Sequence, residues 1–352
     1  MSGKTRYFLI GCVLVTVVGL SIGLVAYYGG VPRALFASSS GPAELKYIPE
    51  DAAVVAYANV KQVMTSDLRQ RLRQFGGPTD EGRNEFKTET GIDIENDIEY
   101  VVAFLGSRQA DAATNNTNGL VLARGQFDQA RLEAFAKEKG ATVEEYKGKH
   151  LIRPSVNDVA HSGHERDLAV AFLDTGLIAI GGDVVVKHLI DGPSAGSKSA
   201  LDNTEMMKLI ADQHDTSMWA VGRFAAVSSQ AKLPQEVTDR IPPITWFSAS
   251  GHVNGGVRVM VKAETETDAA AANLGDIVKG FVALAKLQAG NRPEAQALWP
   301  SVEMGVTGKT VSLSFGVTTQ LIDAMTPKKH DPGTLRKPAP PKAPETPEKP
   351  SK

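Results

Sequence analysis

The chain has 352 residues, 42% hydrophobic and 22% charged, which are the proportions of a globular protein. A net charge of −2 and 6% aromatic residues leave neither a basic excess nor a stacking platform for nucleic acid. Cys12 is the one cysteine, so the chain beyond it holds no disulfide, thiolate nucleophile or cysteine metal site.

In chain order, residues 1–6 come first and carry Lys4 and Arg6. From Tyr7 to Tyr28 no residue is charged. About 20 apolar residues span a bilayer core, so 7–28 reads as a transmembrane helix in contact with the lipid bilayer. Lys4 and Arg6 against Arg33 put the N-terminus in the cytoplasm. The expected location is a single pass through a bacterial inner membrane, with the bulk of the chain extracytoplasmic. Two readings compete. One is a signal peptide cleaved near Phe36-Ala-Ser-Ser; the other is a lipoprotein signal at Leu9-Ile10-Gly11-Cys12. The run is long for a cleaved signal and continues past Cys12, which disfavours both.

Residues 29–46 have the Gly, Pro and Ser content of a linker. A first half, 47–200, then alternates strand and helix patterns. Strands are expected at 53–60, 98–105, 119–125, 141–147, 149–153, 168–174 and 177–181, and helices at 62–75, 127–139 and 183–191. The second half, 201–326, carries strand patterns at 217–224, 245–253, 256–263, 301–307 and 310–317. Its helix patterns lie at 225–240, 266–289 and 318–325. Residues 327–352 hold seven Lys/Arg, three Asp/Glu and many prolines, and read as an extended disordered tail.

The halves match at three places. Asp51–Val60 resembles Asp215–Phe224, Gly119–Gly125 resembles Gly256–Lys262, and Tyr146–Ile152 resembles Val306–Ser312. The first six elements of each half read βαββαβ. The expected fold is therefore α+β: an antiparallel-sheet domain of two halves in ferredoxin-like order, with helices on one face. Whether the halves share one sheet stays open.

Candidate chemistry is sparse. His161-Ser-Gly-His164-Glu165, with Asp158 or Asp167, offers metal-ligand residue types, but its spacing is not that of a zincin and it sits in a loop pattern. Asp93-Ile-Glu95-Asn96-Asp97-Ile-Glu99 lacks the turn glycine of a calcium loop, and Asp93 reads better as a cap. Gly192–Ser199 and Glu303–Thr310 each break the phosphate-loop pattern. His252 reads as a surface histidine, and Trp219, Trp246 and Trp299 read as core. No catalytic, cofactor-binding or metal residue is assigned, and neither nucleotide nor nucleic acid is an expected partner. The Ala-rich helix pattern 268–288 is the longest amphipathic element. It is either a domain-packing helix or one wall of a groove for lipid or peptide.

Tyr47-Ile-Pro-Glu-Asp-Ala-Ala-Val-Val-Ala-Tyr-Ala-Asn-Val60 and Thr90-Gly-Ile-Asp-Ile-Glu-Asn-Asp-Ile98 resemble uncharacterised bacterial membrane-anchored proteins with an N-terminal helix. The resemblance implies an extracytoplasmic α+β domain and carries no activity or site residues. The functional expectation is a non-enzymatic, membrane-tethered binding or scaffolding protein whose partner is a cell-envelope protein, lipid or wall polymer. Alternatives are a periplasmic lipid or lipoprotein carrier or chaperone, and a hydrolase with a spatially assembled site.

Overall fold

The structure, a computed structural model, describes residues 41–66, 87–93, 95–106, 119–153, 168–192, 197–213, 215–228, 241–253, 256–290, 296 and 298–318. The strands are β1 (Val54–Ala58), β2 (Ile98–Leu105), β3 (Gly119–Gly125), β4 (Thr142–Tyr146), β5 (Lys149–Arg153), β6 (Leu168–Asp174), β7 (Leu177–Gly182), β8 (Met218–Arg223), β9 (Ile244–Val253), β10 (Gly256–Thr265), β11 (Glu303–Thr307) and β12 (Thr310–Thr318). The helices are α1 (Val60–Met64), α2 (Gln129–Glu138), α3 (Asp183–Asp191), α4 (Thr204–Ala211), α5 (Phe224–Ser228) and α6 (Asp268–Ala289). Side-chain caps start several of them: Asn59 accepts from Gln62 N, Asp128 from Arg131 N, Asn203 from Met206 N and Thr267 from Ala270 N.

The strands form one twelve-stranded sheet in the order β11-β12-β10-β9-β8-β1-β2-β3-β7-β6-β5-β4. Every pairing between named strands is antiparallel. This corrects the expected pair of ferredoxin-like halves. A ferredoxin-like unit sets its first and third strands side by side and its second strand beyond the third, so the first and second strands do not pair. Here β1 takes β2 on one edge and β8 on the other. Small residues on both central strands, Ala56 and Ala58 on β1 and Ala220 and Gly222 on β8, let the two halves close edge to edge. Gly222 shows how close the approach is, since a Cβ there would meet Ala53 O at 2.5 Å.

The halves are related at the seam. Ala56 lies opposite Ala220, the residue it matches in the sequence repeat, and β1-β2-β3 and β8-β9-β10 extend outward in the same order. Further out the sequence match drifts. Following the ladders outward makes Gly119 the counterpart of Val259 rather than Gly256, and the outer hairpins turn at Lys147-Gly148 and Gly308-Lys309. The β6–β7 hairpin has no counterpart and separates β3 from β5.

Helices cover both faces, which corrects the one-face expectation. On the front face α3, α4 and the 3-10 segments Ala43–Tyr47 and Ala200–Asp202 bury Val55, Val102, Leu122, Leu177, Trp219 and Val221. Leu45, inside the segment read as linker, is fully buried there. On the back face α2 lies over Ile152, Phe172 and Ile178. Val63 of α1 packs on Ala58, Met218 and Val253. α6 sets Ala271 and Leu274 on Val311 and Ala263. Beyond the central strands one face stays wet, so β10 and β12 alternate. Val257, Val259, Val261, Val311, Leu313 and Phe315 point back, while Arg258, Met260, Lys262, Ser312 and Ser314 point front.

The expected anchor at 7–28 lies outside the described residues, as do the helix expected at 318–325 and the tail 327–352. Among the described residues no helix is long and apolar enough to cross a membrane. α6 has the length, but Asp268, Asp276, Lys279 and Lys286 interrupt it. The transmembrane, single-pass and inner-membrane assignments are therefore withdrawn.

Trp219 stacks on Tyr57 across the seam at 5.7 Å between ring centroids and is 4% exposed. Trp219→Ala is expected to cost about 3–5 kcal/mol in denaturant unfolding. A loss under about 1 kcal/mol would mean that the seam is not where the two halves are held.

Candidate functional site

Two arrangements stand out from the rest of the fold: a buried charge cluster on the front face and an uncovered side of α6 on the back.

The cluster centres on Glu44, which is 1% exposed. Its carboxylate accepts from Tyr100 Oη at 2.7 Å and from Arg124 Nε and Nη2 at 3.0 and 2.7 Å. Arg124 also donates through Nη1 to Asp174 at 3.0 Å. Burial and the Glu44 carboxylate both raise the Tyr100 pKa, so its phenol stays protonated and serves as a donor. Asp174 accepts from Gly176 N. Burial opposes its ionisation, yet this N–H and Arg124 hold its pKa below the ordinary value. Every strong donor in the cluster is engaged, and the flanking Leu45 and Ile48 are buried. Such a site fixes the segment 43–53 to the sheet and offers no open group for chemistry.

A second network clamps the β4–β5 hairpin to α3. Arg153 bridges Glu144 and Asp183 at 2.6 and 2.7 Å, and Lys187 reaches Asp183 at 3.0 Å. At the other end Tyr146 and Lys147 reach Asp191 at 2.9 and 2.7 Å.

The motifs weighed in the sequence are dispersed. His161, His164 and Glu165 lie outside the described residues, as does His214. Asp93 accepts from Glu95 N, Asn96 Nδ2 and Lys87 Nζ, and Asp97 accepts from Asp93 N, so these carboxylates hold a turn. Ser199 caps the 3-10 turn at Ala200, and Gly308-Lys309 is a hairpin turn. His252 Nδ1 lies 2.9 Å from Asp215 O, and His150 Nδ1 lies 2.6 Å from Glu133 Oε1. Among the described residues neither histidine has a hydroxyl as a hydrogen-bond partner. Among the described residues no group of three metal-ligating side chains comes together. Trp219 and Trp246 are core, and Trp299 packs under Lys286 at 5.7 Å.

What remains is α6. Its first half is tightly seated: Ala271, Leu274 and Gly275 face the sheet, and a Cβ on Gly275 would meet Val306 Cγ2 at 2.6 Å. Its second half leaves Phe281, Leu284 and Leu287 exposed at 51%, 45% and 79%. Gly280 and Ala283 are also exposed. Gly280, Ala283, Leu284 and Leu287 follow the i, i+3, i+4, i+7 spacing of one helix stripe. The sequence showed the amphipathicity of this helix but not that it has a second apolar stripe left over once the sheet has taken the first.

No protein-family model and no curated protein matches the chain. Among solved structures, crystal form I of TP0453 aligns with a TM-score of 0.46 at 9% identity, covering 82% of this chain and 97% of that one. Crystal form III aligns at 0.44 and 7% identity, covering 80% and 96%. At those scores the likeness carries no functional weight.

Glu44→Ala leaves Arg124 and Tyr100 facing a hole and is expected to cost about 3–5 kcal/mol. Tyr100→Phe, which removes one neutral donor, should cost about 1–2 kcal/mol in the same unfolding measurement. The pKa values of Asp93, Asp174 and Asp183 are lowered in the fold. The unfolded chain therefore binds more protons near its carboxylate pKa of about 4. Their stabilisation is complete above that pH and is lost as pH falls through the lowered values. Melting temperature followed from pH 6 down to about 2 should drop most steeply below about pH 4, and Asp183→Asn should flatten that drop.

Proposed function

We propose that this chain is a non-enzymatic binding or scaffolding protein that docks a partner on the uncovered side of α6. The observation that carries the reading is the length of that helix against its counterpart. α2 follows β3 as α6 follows β10, and covers its strands with 10 residues where α6 has 22. The surplus adds about 18 Å of helix. That surplus carries Phe281, Leu284 and Leu287, which stay exposed. A large apolar stripe held in water on a rigid helix is the usual mark of a contact surface.

The carrier reading required a cavity between the long helix and the sheet, and the Gly275–Val306 contact fills that space under the first half of α6. The hydrolase reading required a histidine, a carboxylate and a hydroxyl together, whereas His150 meets a carboxylate and His252 a backbone carbonyl. A protein whose groove takes an amphipathic helix is the partner class that an apolar helix stripe fits best.

A photo-crosslinking residue at Leu287 in cells should give a discrete adduct, absent from a probe at Lys279 on the polar side. Leu284→Glu should abolish that adduct without lowering the melting temperature. Identical adduct patterns from both probes would end the docking reading.

A further inference from the structure

The two edges of the sheet differ in chemistry, and one of them is open. We infer that the edge of β11 takes a further strand from another polypeptide, an extended segment with acidic side chains toward the back face. The inference stands apart from the docking reading for the apolar side of α6.

The backbone is the first observation. β11 and β12 are joined by the two-residue turn Gly308-Lys309, with Gly308 at a φ of 54°. Such a turn makes its flanking residues, Thr307 and Thr310, a hydrogen-bonded pair. Bonded pairs alternate along an antiparallel ladder, so Gly305 with Ser312 and Glu303 with Ser314 are bonded as well. Two contacts agree with this phase. Ser312 Oγ also donates to Gly305 O at 3.4 Å, and Lys309 O turns the other way to accept from Thr265 N of β10 at 2.9 Å. The N–H and C=O groups of Met304 and Val306 therefore point away from β12. β11 is the end strand of the sheet, and among the described residues nothing pairs with these groups. An extended chain satisfies such a row with its own alternating donors and acceptors.

The opposite edge is guarded. β4 carries Glu144 and Glu145 within its five residues, both exposed, and charges on an edge strand discourage pairing. The inner residues of β11 are Met304, Gly305 and Val306, with no charge among them. Val306 is 40% exposed.

α6 sets the charge of the strand that fits. Gly275 lies against Val306, and Lys279 and Lys286 follow it on the same side of the helix at i+4 and i+11. Lys286 Nζ stands 5.7 Å from the ring centroid of Trp299, in the turn that leads into β11. Both cations thus stand over the open edge on the back. Lys279 shares its charge with Asp276 in an exposed pair at 2.9 Å, whereas Lys286 has no carboxylate partner among the described residues. Glu303 has the parity of Gly305 and points to the front. A strand added beside Met304 and Val306 places every second side chain below these lysines, where carboxylates complement them.

The test uses the full chain labelled with 15N at Met and Val, and the peptide Thr-Glu-Val-Glu-Val-Glu-Thr. The amides of Met304 and Val306 should exchange fast in the chain alone and slow at least about tenfold with the peptide. Val311, bonded within the sheet, should be slow in both. Proline at 306 removes an outward N–H and no ladder bond. Val306→Pro should therefore keep the melting temperature and weaken peptide binding about tenfold or more. N-methylation of the peptide at its glutamates, the residues that bond to β11, should abolish binding to the unaltered chain, and N-methylation at its valines should not. A peptide with Lys in place of Glu should bind at least about tenfold more weakly. Slow exchange of Met304 and Val306 in the chain alone, no slowing with the peptide, equal effects of the two methylations, or equal binding of the Lys peptide would each overturn the inference.

Discussion

The antiparallel pairing of β1 with β8 is the constraint from which the rest of this structure follows. Five residues on each strand join the halves, with Ala56 opposite Ala220 at the centre. Because the halves meet edge to edge, the middle strands have no solvent face. All of β8 except Arg223 is buried, and Trp246 through Gly251 of β9 are buried as well. Helices must then cover both sides at the centre, and they do. The hairpin-and-helix insertion from Leu168 to Ala211 supplies the front cover, while α1, α2 and α6 supply the back.

The buried Glu44 completes this arrangement at the front. A carboxylate with 1% exposure is tolerable only because Tyr100 and Arg124 supply its hydrogen bonds. The pairing gives the segment 43–53 one position along the core. Backbone bonds from Glu50 N to Lys198 O and from Ala200 N to Ile48 O then lock it to the front cover. The polar cluster acts as a register mark for a segment that would otherwise be held by Leu45 and Ile48 alone.

Much of the local structure was legible in the residues. β2, β3, β5, β6 and α3 lie where alternation and helical period place them. β12 writes its two faces plainly as Val311, Leu313, Phe315 and Val317 against Thr310, Ser312, Ser314 and Gly316. Connectivity was not legible, because a strand's period is the same whichever neighbour it takes. The order βαββαβ fits both a ferredoxin-like unit and half of this sheet. α4 escaped notice because Thr204–Ala211 is only eight residues long, too short to show a clear helical period. The segment 43–47 was hidden by its Gly-, Pro- and Ser-rich surroundings, although Leu45 followed by Tyr47-Ile48 was the available signal. For α6 the sequence shows one long amphipathic helix, and only the packed sheet reveals that Leu284 and Leu287 are left in water.

The seam also has a consequence in time. β1 is made early in synthesis, and its partner β8 begins at Met218. At about 5–20 residues per second, the free edge of β1 waits on the order of 10–30 s for its mate. Through that interval the emerging first half is a sheet with a bare, small-residue edge, a template for any passing strand. The nascent chain is thus most vulnerable to cross-pairing in mid-translation. A slow codon stretch before Met218 would lengthen that exposure, and a holdase acting on the ribosome-bound half would shorten its effect.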